Sequence, residues 1–89
     1  MSEAQRLLAI AYPANVTIRG IRFAMLDLGD LVDILVTHAA LDRMEVSTGD
    51  DYLARFDKHR ASFERVANDK YARGEIEDDG SIALLPGDF

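Results

Sequence analysis

Apolar residues recur at helical spacing across residues 48–73, where Leu53, Phe56, Phe63, Ala67 and Tyr71 fall on one stripe with Arg60 lodged in its middle. The pattern predicts one long amphipathic helix. Thr48 is placed to cap it, and Asp50 and Asp51 fall in its first turn, where carboxylates suit the positive end of the helix dipole. Lys70 and Arg73 occupy the last turn, and Gly74 follows as the residue best suited to a left-handed stop.

Upstream, the period changes from 3.6 to two. Val16 and Ile18 alternate with polar residues, Gly20 interrupts, and Ile21, Phe23 and Met25 resume the alternation in the shifted phase. A phase slip at a glycine reads as a bulge. After the turn-rich run Asp27, Leu28, Gly29, Asp30, residues 31–36 are apolar except for Asp33, as in a strand with much of both faces covered. Two such strands around a glycine turn predict a hairpin. Thr37 suits a helix N-cap before His38, Ala39, Ala40, Leu41, Asp42, Arg43 and Met44, which support about two helical turns. Residues 81–85 read as a short strand closed by Pro86. The first dozen residues admit two readings: Ser2 followed by Gln5 resembles a capping box, whereas Leu8, Ile10 and Tyr12 alternate as a strand does.

This order of features resembles a known family. The hairpin, a short helix closing near Leu41, a long helix carrying Phe56, Asp57, Lys58, His59 and Arg60, the run Lys70, Tyr71, Ala72, Arg73, Gly74, and a close of Ile82, Ala83 and Leu84 with Asp88 and Phe89 together resemble the small bacterial domain-of-unknown-function family 1488, over roughly residues 16–89. The resemblance implies an α+β fold, with a small antiparallel sheet of three or four strands packed against one short and one long helix, in bacterial cytoplasm. It implies no activity. It favours a strand over a helix for residues 7–12. The hairpin turn departs from the Asp-Gly expected of that family, since Leu28 stands between Asp27 and Gly29.

Composition sets the outer limits. Eighty-nine residues are expected to form one domain, residues 1–89, with a single core. The chain has no cysteine, so a disulfide framework, a thiolate metal site and a cysteine nucleophile are all excluded, and a reducing cytoplasm is the natural compartment. The longest early apolar run, residues 7–12, is too short to cross a bilayer. The net charge of −6 is unevenly placed: residues 1–74 carry eleven acids against ten bases, and residues 75–89 carry five acids and no base. A near-neutral body with an acidic end offers phosphate backbones no attraction, which argues against nucleic-acid binding.

No catalytic constellation stands out, and we expect no enzyme. Arg60 is the oddest residue, a guanidinium between Phe56 and Phe63 on the stripe that should face the sheet. It reads first as a stem that packs while its head snorkels or pairs with Asp33 or Glu64, and second as an anion site. Arg60 and His59 are therefore the candidate ligand-binding residues. His38 and Asp42 share helical spacing, but no second histidine lies within a turn of either histidine, so we expect neither a metal site nor a cofactor. The acids of residues 75–79 lack the ligand spacing of a calcium hand and read as a solvated turn. No serine sits in a nucleophile elbow, and the glycines form no phosphate-cradling loop.

A surface for partners remains. With 48% apolar residues and one modest core to absorb them, leucines such as Leu26, Leu28, Leu31, Leu35 or Leu85 stay partly exposed on a sheet face or edge. The expected function is a non-enzymatic interaction or regulatory module, pairing with a protein or with itself. The alternative is a small-ligand or anion-binding domain.

Overall fold

The computed structural model describes residues 8–9 as backbone and residues 14–44 and 52–89 with their side chains. Five strands form one sheet: β1 (Leu8–Ala9), β2 (Asn15–Thr17), β3 (Gly20–Asp27), β4 (Asp30–Thr37) and β5 (Ile82–Leu84). Between β4 and β5 come α1 (His38–Met44), α2 (Tyr52–Lys58) and α3 (Arg60–Ala72), and a 3-10 turn, Pro86–Asp88, ends the chain. Both β1 and β2 pair with the edge of β3 opposite β4, so the sheet is four strands wide.

The β3–β4 hairpin follows from its turn. Asp27 pairs with Asp30 across Leu28 and Gly29, both at positive φ (53° and 93°), the two-residue geometry whose twist matches that of the strands it joins. Alternation then sorts the faces. Ile21, Phe23 and Met25 on β3, Val32, Ile34 and Val36 on β4, and Ile82 and Leu84 on β5 are all buried, while the residues between them are not. The buried face takes Ala40 and Leu41 from α1, Phe56 from α2, and Phe63 and Ala67 from α3. Four rings run through this core, with centroids 5.0 Å apart for Phe23 and Phe56, 5.5 Å for Phe56 and Phe63, and 5.4 Å for Phe63 and Phe89. Such spacings add to the gain from burial.

The α+β class stands, with three differences of detail from the sequence reading. The sheet is mixed rather than wholly antiparallel. After β4 the chain crosses over the buried face through three helices and returns in the same sense, so Ile34, Leu35 and Val36 align parallel with Ile82, Ala83 and Leu84. The long helix is interrupted at His59 (φ −113°, ψ 18°), although His59 N–H still reaches the Arg55 carbonyl at 3.2 Å and Phe63 N–H reaches that of His59 at 3.2 Å. The stripe therefore stays on one side. Gly20 marks no bulge: it opens β3 directly after a two-residue loop, Ile18 and Arg19, with Thr17 paired to Gly20.

Thr37 caps α1 as its sequence suggests, with its hydroxyl accepting from the Ala40 N–H at 3.2 Å. Gly74 takes φ 77° past the end of α3, and the Glu75 N–H closes on the Lys70 carbonyl at 2.9 Å. The strand expected over residues 7–12 appears as Leu8–Ala9. Its remainder, the capping box at Ser2 and Gln5, and the helix start at Thr48, Asp50 and Asp51 lie outside the described residues. No helix among the described residues is long and apolar enough to cross a membrane.

Candidate functional site

All the described helices lie on one side of the sheet, and among the described residues none covers the other face. Along β3 that face carries Arg22, Ala24 and Leu26, along β4 Leu31, Asp33 and Leu35, and on β5 Ala83. Cross-strand pairing sets Arg22 beside Leu35, Ala24 beside Asp33, and Leu26 beside Leu31. The result is an apolar strip with a cation and a carboxylate embedded in it.

At the β5 side of this face the surface dips into a concavity of about 410 Å³. Its floor is Leu35, Ala83, Arg22 and Asp33; one wall is the β2–β3 loop with Thr17, Ile18 and Arg19, and the other is residues 77–79 with Ser81. Local hydrogen bonds hold both walls. On the first, the Thr17 hydroxyl donates to the Gly20 carbonyl at 3.0 Å and accepts from the Arg19 and Gly20 N–H groups at 3.1 and 3.2 Å. On the second, the Glu77 N–H donates to the Ser81 carbonyl at 2.8 Å and the Gly80 N–H to the Glu77 carbonyl at 2.9 Å. Asp79 accepts from the Ser81 hydroxyl at 2.6 Å and from the Ser81 N–H at 2.9 Å. The acids are thus presented by an ordered turn.

The electrostatics lean negative. Four carboxylates, Asp33, Glu77, Asp78 and Asp79, line the concavity against two cations, Arg19 and Arg22. The Asp79 carboxyl is held below its ordinary value, chiefly by the two Ser81 hydrogen bonds, with a contribution from the charge of Arg22. No ion pair ties Asp33, Glu77 or Asp78 to a cation among the described residues.

Arg60 and His59 lie elsewhere. Arg60 Nε donates to Glu64 Oε2 at 2.8 Å, one helical turn along, and its guanidinium stands 5.4 Å from the Phe56 ring centroid and 5.7 Å from that of Phe23. Of the two partners the sequence offered, Glu64 is therefore the one it takes; Asp33 is on the opposite face of the sheet. His59 occupies the junction of α2 and α3, half-buried. Neither residue lines the concavity. His38 points Nε2 to the Ile18 carbonyl at 3.3 Å and packs at a tilt of 52° against Tyr52, with ring centroids 4.4 Å apart, while Asp42 accepts from Arg55 at 2.9 Å. The helical spacing of His38 and Asp42 thus serves two separate contacts. Among the described residues no three His, Asp or Glu side chains cluster to hold a metal ion.

Two buried cations escaped the sequence reading. Arg55 is 2% exposed and joins α2 to Asp42 of α1. Lys70 is 6% exposed, and its Nζ donates to the Ala83 carbonyl at 2.8 Å and to Asp88 Oδ2 at 2.9 Å. Lys70 had a signal: it lies three residues beyond Ala67 on the apolar stripe.

Comparison with known proteins matches residues 14–84 to a family described as protein of unknown function (DUF1488). A crystal structure of a DUF1488 protein of unknown function from Shewanella loihica superposes with a TM-score of 0.81 at 15% identity, covering 93% of this chain and 96% of that one. At that identity the likeness speaks for the fold alone. No curated protein matches.

Proposed function

This chain belongs to the DUF1488 family of proteins of unknown function, and on that premise we propose that it is a non-enzymatic interaction module whose contact surface is the uncovered face of its sheet. The observation that carries the reading is the one-sided placement of the helices. Leu31 remains 56% exposed on a strand whose other face is the core, and Ala24, Leu26, Leu35 and Ala83 extend the apolar strip beside it.

The face is favoured over the edges. The outer edge of β5 is short, and its Ala83 carbonyl already accepts from Lys70, while among the described residues β1 and β2 offer two and three for pairing. Short and covered edge strands are how sheets avoid adding further strands. We place the module in bacterial cytoplasm, the compartment its composition suits.

Site-specific photocrosslinking tests the reading. Benzoylphenylalanine replacing Leu35, in the whole chain expressed in its host, is expected to yield a discrete adduct, and the same probe replacing the exposed Arg65 of α3 is expected to yield none. No adduct from position 35, or equal capture from both positions, would overturn it.

A further inference from the structure

We propose that the partner's contact segment is basic and amphipathic: one arginine or lysine enters the concavity, and apolar residues beyond it cover the strip toward Leu26 and Leu31. This rests on the reading that the uncovered face is the docking surface, and it names the chemistry of what docks there.

Charge complementarity selects the occupant. A long basic side chain has an aliphatic stem and a cationic head, and the concavity matches both parts. Leu35 and Ala83 supply the apolar part of the floor, and four carboxylates outnumber the cations Arg19 and Arg22 in the lining, with Asp33, Glu77 and Asp78 having no ion pair of their own among the described residues. Asp33 is the most telling. It sits in the middle of β4 opposite the small Ala24, between Leu31 and Leu35 along its strand and diagonal to Arg22, and it lines the concavity. A cation brought there would meet acids from β4 and from the 77–79 turn together, at a site where neighbouring apolar groups strengthen the attraction relative to open water.

Other occupants fit less well. A second copy would bring another net charge of −6 against this one, with Glu77, Asp78 and Asp79 of each copy without an ion pair among the described residues. Anionic surfaces such as lipid headgroups or nucleic acid meet the same repulsion. A small free cation would satisfy the carboxylates and leave Leu26 and Leu31 bare. The apolar strip continues from Leu35 to Leu31, four residues or roughly 13 Å along the strand, so the matching ligand carries its cation and its apolar groups at that separation. A protein segment in extended form does so with alternate side chains on one side.

The test uses three probes on the full chain, followed by amide shifts in nuclear magnetic resonance. The first is a blocked heptapeptide, Arg-Thr-Leu-Thr-Leu-Thr-Leu, which when extended puts its arginine and leucines on one side. The second has glutamate in place of arginine, and the third is spermidine. The expected result is saturable shifts at Arg22, at residues 31–35 and at residues 77–83 with the first peptide alone. The triple variant Asp33→Asn, Glu77→Gln, Asp78→Asn should keep its melting temperature and bind at least about tenfold more weakly. The proposal is overturned if the arginine peptide leaves this face unshifted, if the glutamate peptide binds as well, or if spermidine matches the peptide, which would make this a site for small cations. Photocrosslinking separates the two readings. An adduct at position 35 without binding of the basic peptide sinks the basic segment and leaves the face as a docking surface, whereas the absence of any adduct at position 35 sinks both.

Discussion

Gly20 shows how one residue can decide whether two elements meet. It sits at φ +152°, where the Thr17 hydroxyl bridges the loop and β3 begins beside the end of β4. A Cβ built there would run into the Val36 carbonyl oxygen and come within 2.9 Å of the Thr37 Cα, both backbone atoms with no freedom to retreat. Gly20→Ala should therefore cost about 2–4 kcal/mol through strain and displaced strand pairing, measured by chemical denaturation. A loss under about 0.5 kcal/mol would mean that the strands do not approach as described. The glycine was visible in the sequence, and so was its interruption of the alternation, but its job was not. Ile18 and Arg19, which form the loop, carry none of the usual turn chemistry, so the break in phase looked like a bulge within one strand instead of a reversal between two.

Among the elements, α3 and the chain end are joined by Lys70 and Asp88. Asp88 Oδ2 takes both the Lys70 ammonium at 2.9 Å and the Leu85 N–H at 2.8 Å, and the same lysine holds the outer edge of β5 through Ala83. Burial pushes the Asp88 carboxyl up, yet the hydrogen bonds from Lys70 and Leu85, with the charges of Lys70 and Arg73, outweigh it and leave the group below its ordinary value. A carboxylate so depressed stabilises the fold above its unfolded value near pH 4, and that contribution is lost as pH falls through the lower folded value. Asp88→Asn should cost about 1–3 kcal/mol at pH 7, where it strands a buried lysine, and the gap from the wild type should narrow steadily below about pH 4. Paired thermal melts across that range check it, and a gap independent of pH would show that the ionised pair is not what the variant removes. The helical stripe, the hairpin and the caps at Thr37 and Gly74 were legible because each is written in neighbouring residues. The break at His59 was not, since no glycine or proline marks it, and the parallel return of β5 depends on a crossover through three helices that no local pattern encodes.

At the scale of the whole molecule, the division into a covered and an uncovered sheet face governs both stability and the candidate site. Half of it was readable: alternation in residues 21–25 gives two faces, and the apolar excess of the chain implied that some leucines stay outside. The site itself was not readable. Asp33 and the acids of residues 77–79 are more than forty positions apart in sequence, and only the parallel docking of β5 against β4 brings them to one concavity. Arg60 drew notice for its place on the stripe, and the fold uses it there beside Phe56 and Glu64 on the covered side. The same division makes a prediction within a single strand. Ile34 is fully buried against the helices, and Leu31, three residues earlier on β4, faces the open side at 56% exposure. Ile34→Ala should cost about 2–5 kcal/mol through lost burial and an unfilled cavity, and Leu31→Ala less than about 1 kcal/mol because little of its contact is with protein. Equilibrium unfolding of the isolated chain measures both. Similar losses at the two positions would mean that the second face is covered within one molecule, and the docking surface would go with it; a large difference leaves β4 with one side committed to the core and the other available to a partner.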